Sequence, residues 1–129
     1  MRWVIELLMT HRSVSRWASL RHAVRGLQVL LRQPNARIHA LAACVVVALA
    51  YGLQVSASEW LALVLAVGLV IGAEALNTAL EFAVDLAQPE WHALARDAKD
   101  VAAAGVLICS LAAAVVGLVV FGPRLWAMV

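Results

Sequence analysis

Residues 60–85 read WLALVLAVGLVIGAEALNTALEFAVD, and this stretch decides the fold. From Trp60 to Ala83 it is long and apolar enough to cross the hydrocarbon layer as a helix, which takes about 20 residues. Yet it carries Glu74, Asn77 and Glu81, with Asp85 just beyond. The four sit at offsets 0, 3, 7 and 11. At 100° per residue these offsets fall within an arc of about 80°, so one helix face is polar from its middle to one end. At ~1.5 Å per residue the stripe is about 16 Å long, which puts Asp85 at the membrane surface when Glu74 is well inside the hydrocarbon. A charged side chain at the bilayer centre costs on the order of 2.5–3.5 kcal/mol on insertion scales, so a row of acids there needs a metal, cationic partners or protonation.

Hydrogen bonding between helices, worth roughly 0.6–2 kcal/mol per contact, accounts for Asn77 and a protonated Glu74. It does not account for acids that continue to the surface with an amide between them. Ligands that offer only oxygen suit Mg²⁺, a hard cation usually held by one or two carboxylates plus substrate phosphates. A carboxylate at the depth of Glu74 is also placed to take a proton from a lipid hydroxyl.

Outward from this helix, the composition makes the bilayer the solvent. Hydrophobic residues form 64% of the 129-residue chain and charged residues 14%, too little polar surface for a water-soluble globule. Two more apolar segments, residues 38–53 and 101–121, complete an all-α integral membrane domain of three transmembrane helices. Seven of the ten Lys and Arg residues precede the first span and none lies between the first and second, which predicts a cytoplasmic N-terminus. The apolar run Trp3 to Met9 contains Glu6 and is followed by His11 and Arg12, so the N-terminus reads as retained. Cys44 and Cys109 fall inside spans and read as small hydrophobes.

Before the first span, Trp17, Leu20, Val24, Leu27 and Leu31 recur at steps of three and four beside Arg21, Arg25, Gln28 and Arg32. This is an amphipathic surface helix over about 14–33. Its arginines serve membrane orientation and anionic head groups, and they do not indicate nucleic acid. Pro34-Asn35 predicts a bend into the first span, Pro89 a break after the second, and Gly122-Pro123 the end of the third. Gly68 and Gly72 predict close helix packing, as do Ala102 and Gly105.

The loop after the second span adds Glu90, Trp91 and His92, then Lys99 and Asp100 at the mouth of the third. Lys99 is suited to a phosphate, with Asp100 to orient it or a metal; alone, the pair reads as an interfacial ion pair. Trp91 and His92 alone read as interfacial anchors. The chain has no GxxxxGK[ST], so a nucleotide would bind without a Walker loop.

The string Glu74-Ala75-Leu76-Asn77-Thr78-Ala79-Leu80-Glu81, then Val84-Asp85 and Ala98-Lys99-Asp100-Val101-Ala102-Ala103, resembles the small bacterial membrane kinase family that contains diacylglycerol kinase and undecaprenol kinase. The resemblance runs from about Leu20 to Arg124. It implies a homotrimer of three-span subunits in the bacterial plasma membrane, each using ATP and Mg²⁺ to phosphorylate a lipid alcohol. By that resemblance Glu74 is the general base, Glu81 a metal ligand and Asn77 a polar support, while Asp85, Glu90, Trp91, His92, Lys99 and Asp100 line the nucleotide region.

The position matching the family's other metal-binding glutamate is Gln33. A neutral amide there leaves three readings open: a weaker Mg²⁺ site, recruitment of another carboxylate, or an offset of one residue in the match. Asn35-Ala36-Arg37-Ile38-His39 and Glu59-Trp60 look more like the undecaprenol kinase branch than the diacylglycerol branch. The rival reading from another class is a small proton-coupled transporter built around Glu74, for which four spans are expected. A third, a structural assembly subunit, expects Glu74→Gln to be harmless.

Overall fold

The computed structural model describes residues 15–129. The N-terminal segment with Arg2, Arg12 and the run Trp3 to Met9 lies outside the described residues. Four helices follow in order: α1 (Arg16–Leu30), α2 (Pro34–Gly52), α3 (Ala57–Ala87) and α4 (Ala93–Trp126). Among the described residues there is no strand, and α2, α3 and α4 are each long and apolar enough to cross a membrane.

The apolar row of α1 finds little cover within the chain: Trp17, Leu20, Val24, Leu27 and Leu31 are all exposed, as suits a helix resting on lipid. The chain breaks at Leu31–Gln33, and Pro34 occupies the first turn of α2, where a missing N–H costs nothing. Arg37 fixes this elbow by donating from Nε to the Leu31 carbonyl at 2.9 Å. That bond satisfies one of the carbonyls that a helix C-terminus leaves open.

The α2–α3 turn is a Schellman closure. Val55 N–H donates to the Ala50 carbonyl at 3.2 Å and Gln54 N–H to that of Tyr51 at 3.3 Å. Gln54 has φ 49°, the left-handed position that glycine fills more readily. Ser56 then caps α3: its Oγ accepts from Glu59 N–H at 3.4 Å, and its own N–H donates to Glu59 Oε2 at 2.7 Å.

Arg124 clamps this same end of the bundle. Its Nη1 donates to Glu59 Oε1 at 2.6 Å and its Nη2 to Oε2 at 2.7 Å, a fork-on-carboxylate pair between the start of α3 and the end of α4. Nη1 also donates to the Val120 carbonyl at 2.9 Å. The expected stop at Gly122-Pro123 is corrected here, because α4 continues through Pro123 to Trp126. A proline this close to a helix end forfeits one backbone bond, and Arg124 ties down the turn that carries it.

The apolar core gathers at the clamped end, where Ala50, Val55, Leu63, Val120 and Phe121 are buried together. Tyr51 and Trp60 meet edge to face beside it, with centroids 5.9 Å apart. Against this cluster, and reaching inward from Phe121, lies a cavity of about 340 Å³ between the spans, lined by Val46, Val70, Ala113 and Gly117. α3 lies along α4, while α2 rests on α3 and meets α4 only briefly. The buried positions Leu63, Val70, Glu74 and Asn77 keep one face of α3 inward. Gly68 and Gly72 lie off that face: a Cβ on either would meet no atom within 4 Å, and the same holds for Gly105. The close packing expected at these glycines is therefore absent among the described residues.

Candidate active site

The inward face of α3 is apolar at the clamped end and polar at the other. Glu74 is 3% exposed and Asn77 5%, Glu81 is half-buried and Asp85 exposed. Burial against protein removes these groups from lipid, the arrangement that makes an intramembrane acid tolerable. Asn77 Nδ2 donates to Glu81 Oε1 at 3.0 Å, which orients both side chains.

Glu74 stands between two clefts. One, of about 190 Å³, is apolar and lies in the elbow between α1 and α2, lined by Leu27, Leu30, Leu31, Ala36 and His39. The other, of about 360 Å³, is the more polar of the two and lies toward α4, lined by Asn35, His39, Asn77, Val106 and Ser110. A larger hollow of about 620 Å³ runs between α1 and α3, bounded by His22, Arg25, Gly26, Gly72, Thr78 and Phe82. It combines apolar walls with the Arg25 cation, a composition suited to a lipid at an interface.

Beyond the hydrocarbon, the last turn of α3 and the first turns of α4 enclose a cavity of about 380 Å³ lined by Asp85, Glu90, Trp91, His92, Arg96 and Lys99. The α3–α4 loop closes it. His92 caps α4 by accepting on Nδ1 from Leu94 N–H at 3.2 Å. Lys99 Nζ is ion-paired with Asp85 Oδ1, joining the end of α3 to the start of α4. Its sequence neighbour Asp100 faces away from the cavity, with Oδ2 3.9 Å from Arg96 Nε. Successive helical residues point about 100° apart, which sends Lys99 to Asp85 and Asp100 toward Arg96.

The structure therefore brings Glu74, Asn77 and Glu81 onto one face and gathers Asp85, Glu90, Trp91, His92 and Lys99 at the loop. Gln33, at the start of α2, lines none of these cavities, and no group of three His, Cys, Asp or Glu side chains among the described residues is poised to hold a metal. Glu81 and Asp85 still fit a Mg²⁺ ion, because this ion usually brings its remaining ligands as water and substrate phosphate. Sequence reasoning missed His39, Ser110 and Arg96. The first was visible as an imidazole inside a span, whereas a single serine or a loop arginine carries no distinguishing signal.

A buried carboxylate flanked by two clefts, with a cation-bearing pocket at the end of its helix, is the arrangement of a candidate site in an integral membrane protein. Residues 21–121 match the family described as prokaryotic diacylglycerol kinase. The chain is 38% identical over 105 residues to the undecaprenol kinase of Bacillus subtilis (strain 168), covering 81% of this chain and 85% of that one. It is 41% identical over 101 residues to the diacylglycerol kinase of Synechocystis sp. (strain ATCC 27184 / PCC 6803 / Kazusa), covering 77% of this chain and 58% of the relative. The chain belongs to the prokaryotic diacylglycerol kinase family and is a lipid kinase.

Proposed function

We propose that the protein transfers the terminal phosphoryl group of ATP to the primary hydroxyl of a membrane lipid, with undecaprenol the favoured acceptor over diacylglycerol. The observation that carries this reading is the position of Glu74, almost fully buried between an apolar cleft and a polar one, on the helix that ends at the Lys99 pocket. The preference for undecaprenol is supported by the relative of that name, of whose length this chain covers 85%.

Glu74 accepts the proton of the lipid hydroxyl. As the hydroxyl oxygen forms its bond to phosphorus, the bond to the leaving nucleoside diphosphate breaks. Asn77 holds Glu81 through its amide, and Glu81 with Asp85 would hold Mg²⁺, which when bound neutralises phosphate charge. Gln33, at the N-cap of α2, would be a further oxygen donor to that metal. Lys99 holds phosphate as a point charge, while Trp91, His92 and Glu90 border the rest of the nucleotide and Asp100 flanks it through Arg96.

The same reading places the N-terminus and the α3–α4 loop on the cytoplasmic side of the bacterial plasma membrane, as the arginines ahead of α2 require. It takes the chain as one domain that works as a homotrimer. An assay in mixed micelles with labelled ATP tests it, offering undecaprenol, diacylglycerol and ceramide to the native protein and to Glu74→Gln. The expected result is a Mg²⁺-dependent lipid phosphate, strongest with undecaprenol and lost in the variant. Absence of phosphate on every lipid across a Mg²⁺ titration would falsify the reading.

A further inference from the structure

The polar cleft beside Glu74 contains two buried polar atoms without a hydrogen-bond partner among the described residues, Asn77 Oδ1 and Ser110 Oγ, each exposing less than 1 Å². Both omissions are unusual. A serine inside a membrane helix ordinarily satisfies its hydroxyl by donating to the carbonyl four residues back. Ser110 does not do so with Val106, and its O–H has no partner at the wall of the cleft. Asn77 uses its amide nitrogen on Glu81, which leaves its carbonyl oxygen unmatched on the same side. Buried polar groups are nearly always hydrogen-bonded, so two unpartnered atoms at one cleft mark a place where a polar ligand atom would be held.

His39 is the third component. It comes from α2 and lines the apolar cleft, the polar cleft and the cavity between the spans. The imidazole thus stands where the space on either side of Glu74 joins. Ser110 likewise lines both the polar cleft and the inter-span cavity. A lipid alcohol brings one oxygen that both donates and accepts, on an otherwise apolar chain. That suits a small polar cleft ringed by apolar walls.

We infer that Ser110 and His39 are positioning residues for the acceptor: they hold the lipid's primary hydroxyl on Glu74 from the α4 and α2 sides. The Ser110 hydroxyl donates to the acceptor oxygen, leaving the acceptor's own proton directed at the Glu74 carboxylate. His39 bonds to that carboxylate or to the same oxygen and fixes its direction. The inference rests on Glu74 being the base and adds the two helices that aim its substrate.

The test is steady-state kinetics on Ser110→Ala, Ser110→Thr, His39→Ala and His39→Gln, varying lipid and ATP separately, with the unfolding midpoint of each variant in detergent. Ser110→Ala is expected to lower kcat/KM for the lipid about 10-fold, the size of one neutral hydrogen bond, with the KM for ATP unchanged. Ser110→Thr keeps the hydroxyl and is expected to restore most of the loss. His39→Ala is expected to lower kcat more than KM, and His39→Gln to recover part of it. Lipid kcat/KM within twofold of native in both alanine variants overturns the inference, as does a loss confined to the KM for ATP or a loss that follows the unfolding midpoint. Glu74→Gln measured alongside separates the two layers. Native turnover in that variant removes the base, whereas native turnover in only the Ser110 and His39 variants removes their positioning role and leaves the base standing.

Discussion

Replacing Glu74 by Gln should raise a chemical barrier while leaving the fold as firm as before, or firmer. The side chain is 3% exposed, and its helix supplies no cation to pair with it. A charged group at bilayer depth carries an insertion cost on the order of 2.5–3.5 kcal/mol, and an amide of the same shape relieves part of it. The unfolding midpoint in detergent is therefore expected to stay constant or rise. Turnover moves the other way. A positioned general base contributes about 10²–10⁴-fold, so losing it adds about 2.7–5.4 kcal/mol to the barrier at 1.36 kcal/mol per decade. The assay is lipid phosphorylation at saturating ATP and lipid, paired with a thermal melt of the same preparation. Turnover within tenfold of native refutes the reasoning. A fall in turnover matched by a lower midpoint refutes it too, because the residue would then be structural. Opposite movement of activity and stability is the signature of a group retained for chemistry.

Three other outcomes follow. Lys99→Met is expected to lower kcat/KM for ATP about 10–100-fold, since a hydrogen bond to a charged group is worth about 1.5–3 kcal/mol. Its exposed pairing with Asp85 should contribute under about 1 kcal/mol to stability, so an ATP titration at saturating lipid and a melt separate the two effects. Gln33→Glu is expected to keep or raise activity at limiting Mg²⁺; complete loss of turnover in that variant counts against Gln33 at the metal. Gln54→Gly is expected to raise the unfolding midpoint by the equivalent of about 0.5–1 kcal/mol, because glycine meets the left-handed φ of 49° without a Cβ clash. An unchanged or lower midpoint would show that the turn carries no strain.

The three spans and the inward acidic stripe were legible because both follow from spacing alone. The helix ends were not. An apolar window marks where hydrocarbon lies, at 38–53, 60–83 and 101–121, whereas the backbone stays helical over Pro34–Gly52, Ala57–Ala87 and Ala93–Trp126. Those limits are set by Pro34, the Ser56–Glu59 cap, the Gln54 turn and the His92 cap, which act on backbone groups whatever the side chains around them. Lys99 was legible as a charge at the mouth of α4, but its partner was read as the adjacent Asp100. A contact across two helices, to Asp85, leaves no trace in linear spacing. Gly68 and Gly72 carried a packing signal, but spacing does not say which face meets a neighbour, and a Cβ on either would touch nothing among the described residues. The Glu59–Arg124 fork was hidden for the same reason, with 65 positions separating its partners.

The uneven placement of the core has a mechanical consequence. Ala50, Val55, Leu63, Val120 and Phe121, together with the Glu59–Arg124 fork, fasten one end of the bundle, while the hollows beside Glu74 and α1 lie toward the other. The molecule is thus built like a spring clip, stiff at the bow and compliant at the tips. For the long-chain acceptor proposed above, exchange at the tips would then not need to draw on the stability of the whole chain. Changes at the bow should shorten the lifetime of the folded protein, and changes at the tips should alter how fast one lipid replaces another.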